Sequence, residues 1–351
     1  MEITEFKDTD KDLYNKFLFD SRYKDILQSW EWGEVKPKLN WITHRIGFFE
    51  NNNLCGIAQI LEKRLPFGFF LLYVPRGPVI DWDDYELVDK IIASLSSYLK
   101  DKKNTRRLIF IRLEPPVQKN YELLKIFETR GFKRYFKTVQ PPSTLLIDLS
   151  LPEDQLFKGF RRTARNLIHR SEREGVFIET KESQNITKED LKGFYNLYRM
   201  TGKRFSFSLR PFEQFVSLVE GTGSKSVRLY IAKVRGLTLA YGIVFILGDK
   251  AFYIWGGTGR HGVYSKFFNY GYIWNMLKDL KKIGVKTFDF WGLGPEEDEG
   301  HPWHGFTTFK KAFNGKRFDY IGAFDLPFSE VYPIFKLVDK IITPKYRASG
   351  S

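Results

Sequence analysis

The sequence predicts an α/β (α+β) protein of two domains, each a mixed β-sheet flanked by helices. Three observations carry that expectation. At 351 residues the chain exceeds what one hydrophobic core usually organises. Hydrophobic residues make up 42% and aromatics 17%, far from the composition of disordered chains. One order of elements (strand, strand, strand, helix, strand, loop, helix, strand) also occurs twice along the chain.

In the first half, Leu13 to Leu18 reads as a short helix, and Ser29 to Lys36 as a helical turn that sets two Trp beside Lys36. Trp41 to Phe49 and Leu54 to Leu61 alternate as strands around the hairpin signal Glu50-Asn51-Asn52-Asn53. Phe69 to Val74 is a third strand, closed by Pro75-Arg76-Gly77-Pro78. Leu87, Ile91, Ile92, Leu95 and Leu99 recur at helical spacing within 84–100. Leu108 to Leu113 is a buried strand ending at Glu114-Pro115-Pro116, Tyr121 to Arg130 is a helix stopped by Gly131, and Thr144 to Leu149 is a further strand.

The second half repeats the order. Val227 to Val234 and Thr238 to Leu247 pair across Arg235-Gly236, and Ala251 to Trp255 follows. Ser265 to Lys282 is helical, and Thr287 to Trp291 is a strand running into the glycines 292 and 294. An acidic loop (Glu296, Glu297, Asp298, Glu299) leads to a helix over Thr307 to Phe313, ending at Gly315, and a strand from Arg317 to Phe324. This helix carries Phe309, Lys310 and Lys311 beside a strand end of the kind where α/β proteins build sites. On it Phe313 reads as the core anchor and Lys310 as an exposed residue. Lys310 and Lys311 fit a solvated helix face as readily as a site. Between the copies, 157–176 (FKGFRRTARNLIHRSEREGV) reads as one basic amphipathic helix. Its Phe157, Phe160, Ala164, Leu167 and Ile168 face inward, while Arg161, Arg162, Arg165, Arg170 and Arg173 face out. Such a face suits phosphates, and equally a solvated surface with Arg–Glu pairs.

A net charge of +14 and a pI near 9.5 point to an anionic partner, whether nucleic acid, a phosphorylated substrate or a membrane surface. The single cysteine, Cys55, excludes an internal disulfide framework. With five His in all, His301 and His304 lack an evident third ligand, so no metal is expected. The acidic, polar N-terminus reads as no signal peptide, and no apolar run nears the ~20 residues of a membrane span, so a cytoplasmic protein is expected.

The motifs QSWEWGEVK (28–36), YVPRGPVID (73–81), RLEPP (112–116), TLLIDLS (144–150), RRTARNLIHRSEREGV (161–176), FSLRPFEQF (207–215), FYIWGGTG (252–259) and FKKAFNG (309–315) form one ordered series. Through them the chain resembles the FemABX family of peptidoglycan aminoacyltransferases over nearly its full length. The resemblance implies two acyltransferase domains of the GNAT type, and the duplicated element order matches that fold. The expected division is 1–147 plus 316–351 for a precursor-binding domain and 148–315 for an aminoacyl-tRNA domain, the tail returning to the first. No heptad segment matches the long helical arm of several relatives, so the chain resembles the shorter, arm-less type.

The implied reaction moves an amino acid from aminoacyl-tRNA, the co-substrate, to the stem-peptide amine of a peptidoglycan precursor, lipid II or UDP-MurNAc-pentapeptide. No further cofactor is implied. A monomer with peripheral contact at the inner membrane face is expected. Lys310 matches the helix lysine that stabilises the tetrahedral intermediate, and Phe309 is placed to stack on the terminal adenine. Lys311 joins Arg161, Arg162 and Arg165 on the tRNA side. Lys36 and Arg210 match positions that bind the precursor diphosphate. Trp255 matches a cleft aromatic, Tyr73 and Arg76 line the first domain's cleft, and Glu114 matches an acidic residue considered as general base. Tyr73, Arg76 and Glu114 also suit plain strand-end structure. The rivals are a CoA-dependent N-acyltransferase and a non-catalytic tRNA- or RNA-binding protein. The first lacks its pyrophosphate loop, because Gly259-Arg260-His261-Gly262-Val263-Tyr264 has neither the leading Gln/Arg nor the final small residue. The second has no RNA-recognition signature.

Overall fold

The computed structural model describes residues 1–101, 107–205, 207–221, 226–294, 300–301 and 303–342. The acidic loop Glu296 to Glu299 lies outside them. The chain forms two compact units, Met1–Pro142 with the chain from Asp319 onward, and Ser143–Phe318.

The first unit begins with β1 (Glu2–Glu5), α1 (Lys11–Asp20) and α2 (Trp30–Val35), the last capped by Ser29 Oγ accepting from Trp32 N–H at 3.2 Å. β2 (Ile42–Glu50) and β3 (Asn53–Arg64) pair across Asn51 and Asn52, both left-handed with φ of 51° and 65°. Asn tolerates that region better than other side-chain-bearing residues, and the hairpin lies where the sequence places it. β4 (Phe70–Pro75), β5 (Val79–Ile80), α3 (Tyr85–Asp101), β6 (Leu108–Glu114), α4 (Tyr121–Thr129) and β7 (Lys133–Arg134) follow. α3 buries Ile91, Ile92, Leu95 and Leu99 of the stripe its spacing predicts, together with Val88, while Leu87 is only half-buried.

The second unit runs β8 (Ser143–Asp148), α5 (Glu153–Gly159), α6 (Arg162–Arg173), β9 (Phe177–Glu182), α7 (Lys188–Phe205), α8 (Phe212–Gly221), β10 (Val227–Val234), β11 (Leu237–Leu247), β12 (Lys250–Thr258), α9 (Phe268–Lys282), β13 (Thr287–Asp289), α10 (His304–Lys311) and β14 (Lys316–Asp319). The chain then returns to the first unit as β15 (Phe324–Pro327) and α11 (Tyr332–Ile342).

Among the described residues each unit holds one mixed sheet. The orders are β1-β2-β3-β4-β6-β15-β7 and β9-β10-β11-β12-β13-β8-β14. In both, antiparallel strands lead to one parallel pair, β4 with β6 and β12 with β13, across a helix, α3 or α9. The duplication and the α/β class stand as predicted. Both sheets also admit one strand out of turn. β15 enters between β6 and β7, and β8 enters between β13 and β14.

Those two insertions correct the expected boundaries. The strand over Thr144 to Leu149 is expected in the first domain, but β8 pairs with β13, Asp148 opposite Thr287, and so completes the second sheet. The strand expected over Arg317 to Phe324 is two strands, β14 in the second sheet and β15 in the first. The basic helix is also two. Phe160 and Arg161 are extended, with ψ of 150° and 147°, because Phe160 leaves the helix to bury against Trp274 and Phe313 while Arg161 N–H donates to Ala312 O at 2.9 Å. α10 starts and stops earlier than predicted, and Asn314, not Gly315, takes the left-handed conformation, φ 52°. Gly315 is needed for close approach, since a Cβ there would stand 2.7 Å from Leu146 O.

β6 is buried along its whole length, yet it carries Arg112. The guanidinium lies flat on Asp325 of β15 in a bidentate pair of 2.7 and 2.8 Å, with Tyr332 hydroxyl donating to Asp325 at 3.0 Å. Arg112, the first residue of the RLEPP motif, is therefore a structural residue.

Candidate active site

The decisive geometry in the second unit starts from an aspartate in an apolar strand. Asp289 ends β13 fully buried, accepting from Thr144 hydroxyl at 2.5 Å and from Trp291 N–H at 2.8 Å. These bonds bend the chain sharply, and Trp291 takes a left-handed φ of 56°, strained for a residue with a side chain. Lys310 of α10 reaches into the bend. Its Nζ donates to the carbonyls of Phe290, Trp291 and Gly292 at 2.9, 3.1 and 2.7 Å, saturating its three protons. The Phe306 ring lies 4.7 Å from the same Nζ. Burial pushes the ammonium down to about 7, with the charge of Asp289 acting against that shift. Lys310 therefore corrects the exposed-face expectation. It is a half-buried amine fixed at a strand end, its three donors held by backbone carbonyls. Phe309 packs edge-on against Tyr270 and Phe313, at 5.0 and 5.5 Å, and is half-buried; Lys311 is half-buried too.

Other second-unit candidates fare differently. Trp255 is only 6% exposed and packs edge-on against Phe215 and Phe245, at 5.0 and 5.6 Å, so it is a core residue and not a cleft aromatic. Arg210 is half-buried next to Tyr198, whose hydroxyl burial pushes up to about 12 while Arg210 acts against it. Arg161 and Arg162 are exposed, as the basic-face reading requires. Arg165 is spent locally, its guanidinium donating to the carbonyls of Lys158, at 2.9 Å, and Phe160.

In the first unit the structure brings Tyr73, Arg76 and Glu114 together. Glu114 is 1% exposed and accepts from Val139 N–H at 2.5 Å, Gln140 N–H at 2.9 Å and Tyr73 hydroxyl at 2.9 Å. Burial pushes its carboxyl up, against the two N–H donors and the nearby charges of Arg76 and Arg112. Arg76, left-handed at φ 48°, lays its guanidinium 3.3 Å from the Tyr320 ring centre and donates to Pro141 O at 2.6 Å. Glu114 thus ties the 139–140 segment to β6. Both its oxygens are engaged, by three donors, and the side chain is buried, which suits a structural tie better than a base. Glu114→Gln places an NH₂ group where a donor already points, and lowers stability by about 1–3 kcal/mol while transfer by the folded protein stays near wild type. A melting curve read beside single-turnover transfer checks this. A rate loss of roughly 10²–10⁴ with unchanged melting would restore Glu114 as the base. Lys36 is buried, its Nζ 4.4 Å from the Trp32 ring centre.

Sequence reasoning missed Asp289, Trp291 and Phe306. The available signal was an aspartate inside the apolar run FDFWG, since a buried carboxylate needs partners. Among the described residues no group of three or more His, Cys, Asp or Glu is placed to hold a metal. His301 Nδ1 accepts from Trp303 N–H at 3.1 Å. Among the same residues no helix is long and apolar enough to cross a membrane.

The model of the FemAB family matches residues 9–236 and 231–340. The chain belongs to the FemAB family. A lipid II:glycine glycyltransferase of Staphylococcus epidermidis is 23% identical, the match covering 90% of this chain and 91% of that one. A lipid II:glycine glycyltransferase of Staphylococcus aureus is 22% identical, with 93% of each chain covered. The S. epidermidis alignment spans 390 positions, more than the 351 residues here, so this FemAB chain lacks inserted segments of its relative. The crystal structure of FemX superposes with a TM-score of 0.80 at 21% identity, over 97% of this chain and 100% of that one. A tandem GNAT protein from the clavulanic acid biosynthesis pathway superposes with a TM-score of 0.56 at 11% identity, over 93% and 98%. The tandem GNAT-like fold expected from the duplication is thus found, and as a FemAB member the chain is an enzyme of the aminoacyltransferase kind.

Proposed function

We propose that this FemAB-family protein transfers an amino acid from aminoacyl-tRNA to the stem-peptide amine of a peptidoglycan precursor. The observation that carries the reading is the end-to-end match to relatives named lipid II:glycine glycyltransferases, 90% of this chain and 91% of the first. Lipid II, a lipid-linked precursor, is accordingly the favoured acceptor. The neutral acceptor amine attacks the ester carbonyl of the aminoacyl-tRNA, the tetrahedral oxyanion forms, and the tRNA 3′ oxygen leaves with a proton. Lys310 is the cation for that oxyanion, one of its three N–H donors turning from a backbone carbonyl to the substrate oxygen. Phe309 stacks at the tRNA 3′ end.

The test is incubation of purified protein with mixed aminoacyl-tRNAs and with either lipid II or UDP-MurNAc-pentapeptide, products being identified by mass. An aminoacylated stem peptide is expected. Acylation of an amine by acetyl-CoA alone would replace this reading with the CoA-dependent one.

The donor adds a charge prediction. Arg161, just before α6, and Arg162, its first residue, are exposed, so Arg161→Ala/Arg162→Ala should weaken tRNA binding and reduce the salt slope, by ~0.7–0.9 for each phosphate no longer neutralised. Arg165→Ala alone should change the slope less, because Nη1 of its half-buried guanidinium is held by two carbonyls. Filter binding across a salt series reads both, and an unaltered slope in the double variant makes α6 an ordinary surface.

A further inference from the structure

Helix α11 is anchored to the first unit by one side only. Tyr332 is buried with its ring 5.5 Å from Phe110, Phe335 lies 5.0 Å from the same ring, and Asp339 takes Tyr135 hydroxyl at 2.5 Å and Lys137 Nζ at 2.6 Å. Those three residues fall at i, i+3 and i+7. Ile334, Leu337, Val338 and Ile341 fall at i, i+3, i+4 and i+7 on the opposite side, exposed by 63, 60, 44 and 74%. Lys340 borders this stripe on one side, while Lys336 and the helix's one acid, Asp339, lie toward the anchored side.

A second feature adjoins it. Phe67, at the tip between β3 and β4, is 87% exposed in a left-handed conformation, φ 60°, its carbonyl held by the Arg107 guanidinium. Leu65 and Phe69 beside it pack on the same small cluster, Ile109, Phe110 and Tyr332, that receives Phe335 of α11. An exposed aromatic tip and an exposed aliphatic stripe therefore flank one cluster, with Arg107 exposed beside the tip and Lys340 exposed beside the stripe.

An aliphatic stripe edged by a lysine, on a helix of 11 residues that is too short to span, is the form of a helix lying in a bilayer surface. We propose that α11 and Phe67 together dock the protein on an anionic lipid bilayer, the stripe entering the headgroup–acyl boundary and Arg107 and Lys340 meeting lipid phosphates. The charge of +14 draws the protein to such a surface. This rests on the first unit's own side chains. The transfer reading adds only that a lipid-linked acceptor would lie on the same surface.

The test is cosedimentation of the full chain with vesicles of phosphatidylcholine alone or mixed with phosphatidylglycerol, neither containing precursor. Binding to the mixed vesicles is expected. Leu337→Asn/Ile341→Asn should lower the association constant about tenfold or more, and Phe67→Ser should lower it too. Melting, and transfer to soluble UDP-MurNAc-pentapeptide without vesicles, should be unchanged. The proposal is overturned if the wild type does not sediment with mixed vesicles, or if the double variant binds as well as the wild type. It is also overturned if light scattering shows a wild-type dimer that the variant dissociates, which would make a second copy the occupant of the stripe. Vesicle binding by a protein that transfers nothing would refute the transfer reading alone.

Discussion

The Lys310→Ala protein is expected to transfer roughly 10²–10³-fold more slowly than wild type, the loss that follows removal of one oxyanion-stabilising donor. It should also melt lower. From the sequence, an exposed lysine on a short helix would change stability by only about ±0.5 kcal/mol. In the structure its Nζ satisfies three carbonyls at the bend after β13, and leaving them without a donor costs about 1–3 kcal/mol. Lys310→Met retains the volume and loses the donors, so it separates cavity from hydrogen bonding. Single-turnover transfer by the folded fraction of each variant is the measurement, and near-normal rates in both would remove Lys310 from the mechanism. A pH effect accompanies this. Lys310 titrates at about 7 in the folded chain against 10.5 for a free lysine. Between those values the unfolded state holds the extra proton, so this residue makes wild-type stability rise with pH across the window. The Met variant should lack that rise in urea midpoints taken from pH 7 to 10.

The second large effect belongs to the interior of the first unit. Asp325→Ala should destabilise the first unit by about 3–5 kcal/mol, because Arg112 would remain inside β6 with its charge uncompensated. Tyr332 hydroxyl would lose its acceptor at the same time. Arg112→Leu/Asp325→Leu should recover most of that loss, since an apolar pair of similar size removes both charges from the interior. Urea titrations measure the three proteins. A single variant within about 0.5 kcal/mol of wild type would mean that Arg112 finds another partner or water.

What the sequence revealed follows the range of the interaction. The β10–β11 hairpin was legible because Arg235-Gly236 supplies its left-handed turn locally, at φ of 46° and 78°. α3 was legible because its period repeats over four turns. The exchanged strands were not. β15 pairs with β6 through residues 213 apart, as Arg112 and Asp325 are, and such pairing leaves no local pattern. The site divides the same way. Lys310 stood out through its helix and the glycines near it, but its cradle is a backbone bend at Trp291, which residue type does not encode. Trp255 misleads because an aromatic on a strand fits a cleft or a core equally, and only the packing of Phe215 and Phe245 decides. Glu114 falls at the expected strand end, while the N–H groups that occupy it come from residues 139 and 140.

The out-of-turn entry of β15 governs how this chain can be divided and in what order it can be made. During synthesis β6 and β7 emerge early, but the strand that belongs between them follows the entire second unit. Until then β6 presents an open edge and Arg112 has no counter-ion, so the leading unit reaches its native state only after the trailing one has been made. A single cut near residue 142 therefore yields no independent leading fragment. Residues 1–142 should fold only when a peptide carrying β15 and α11 is supplied, and a chain rearranged to carry that peptide directly after Pro142 should fold without the second unit.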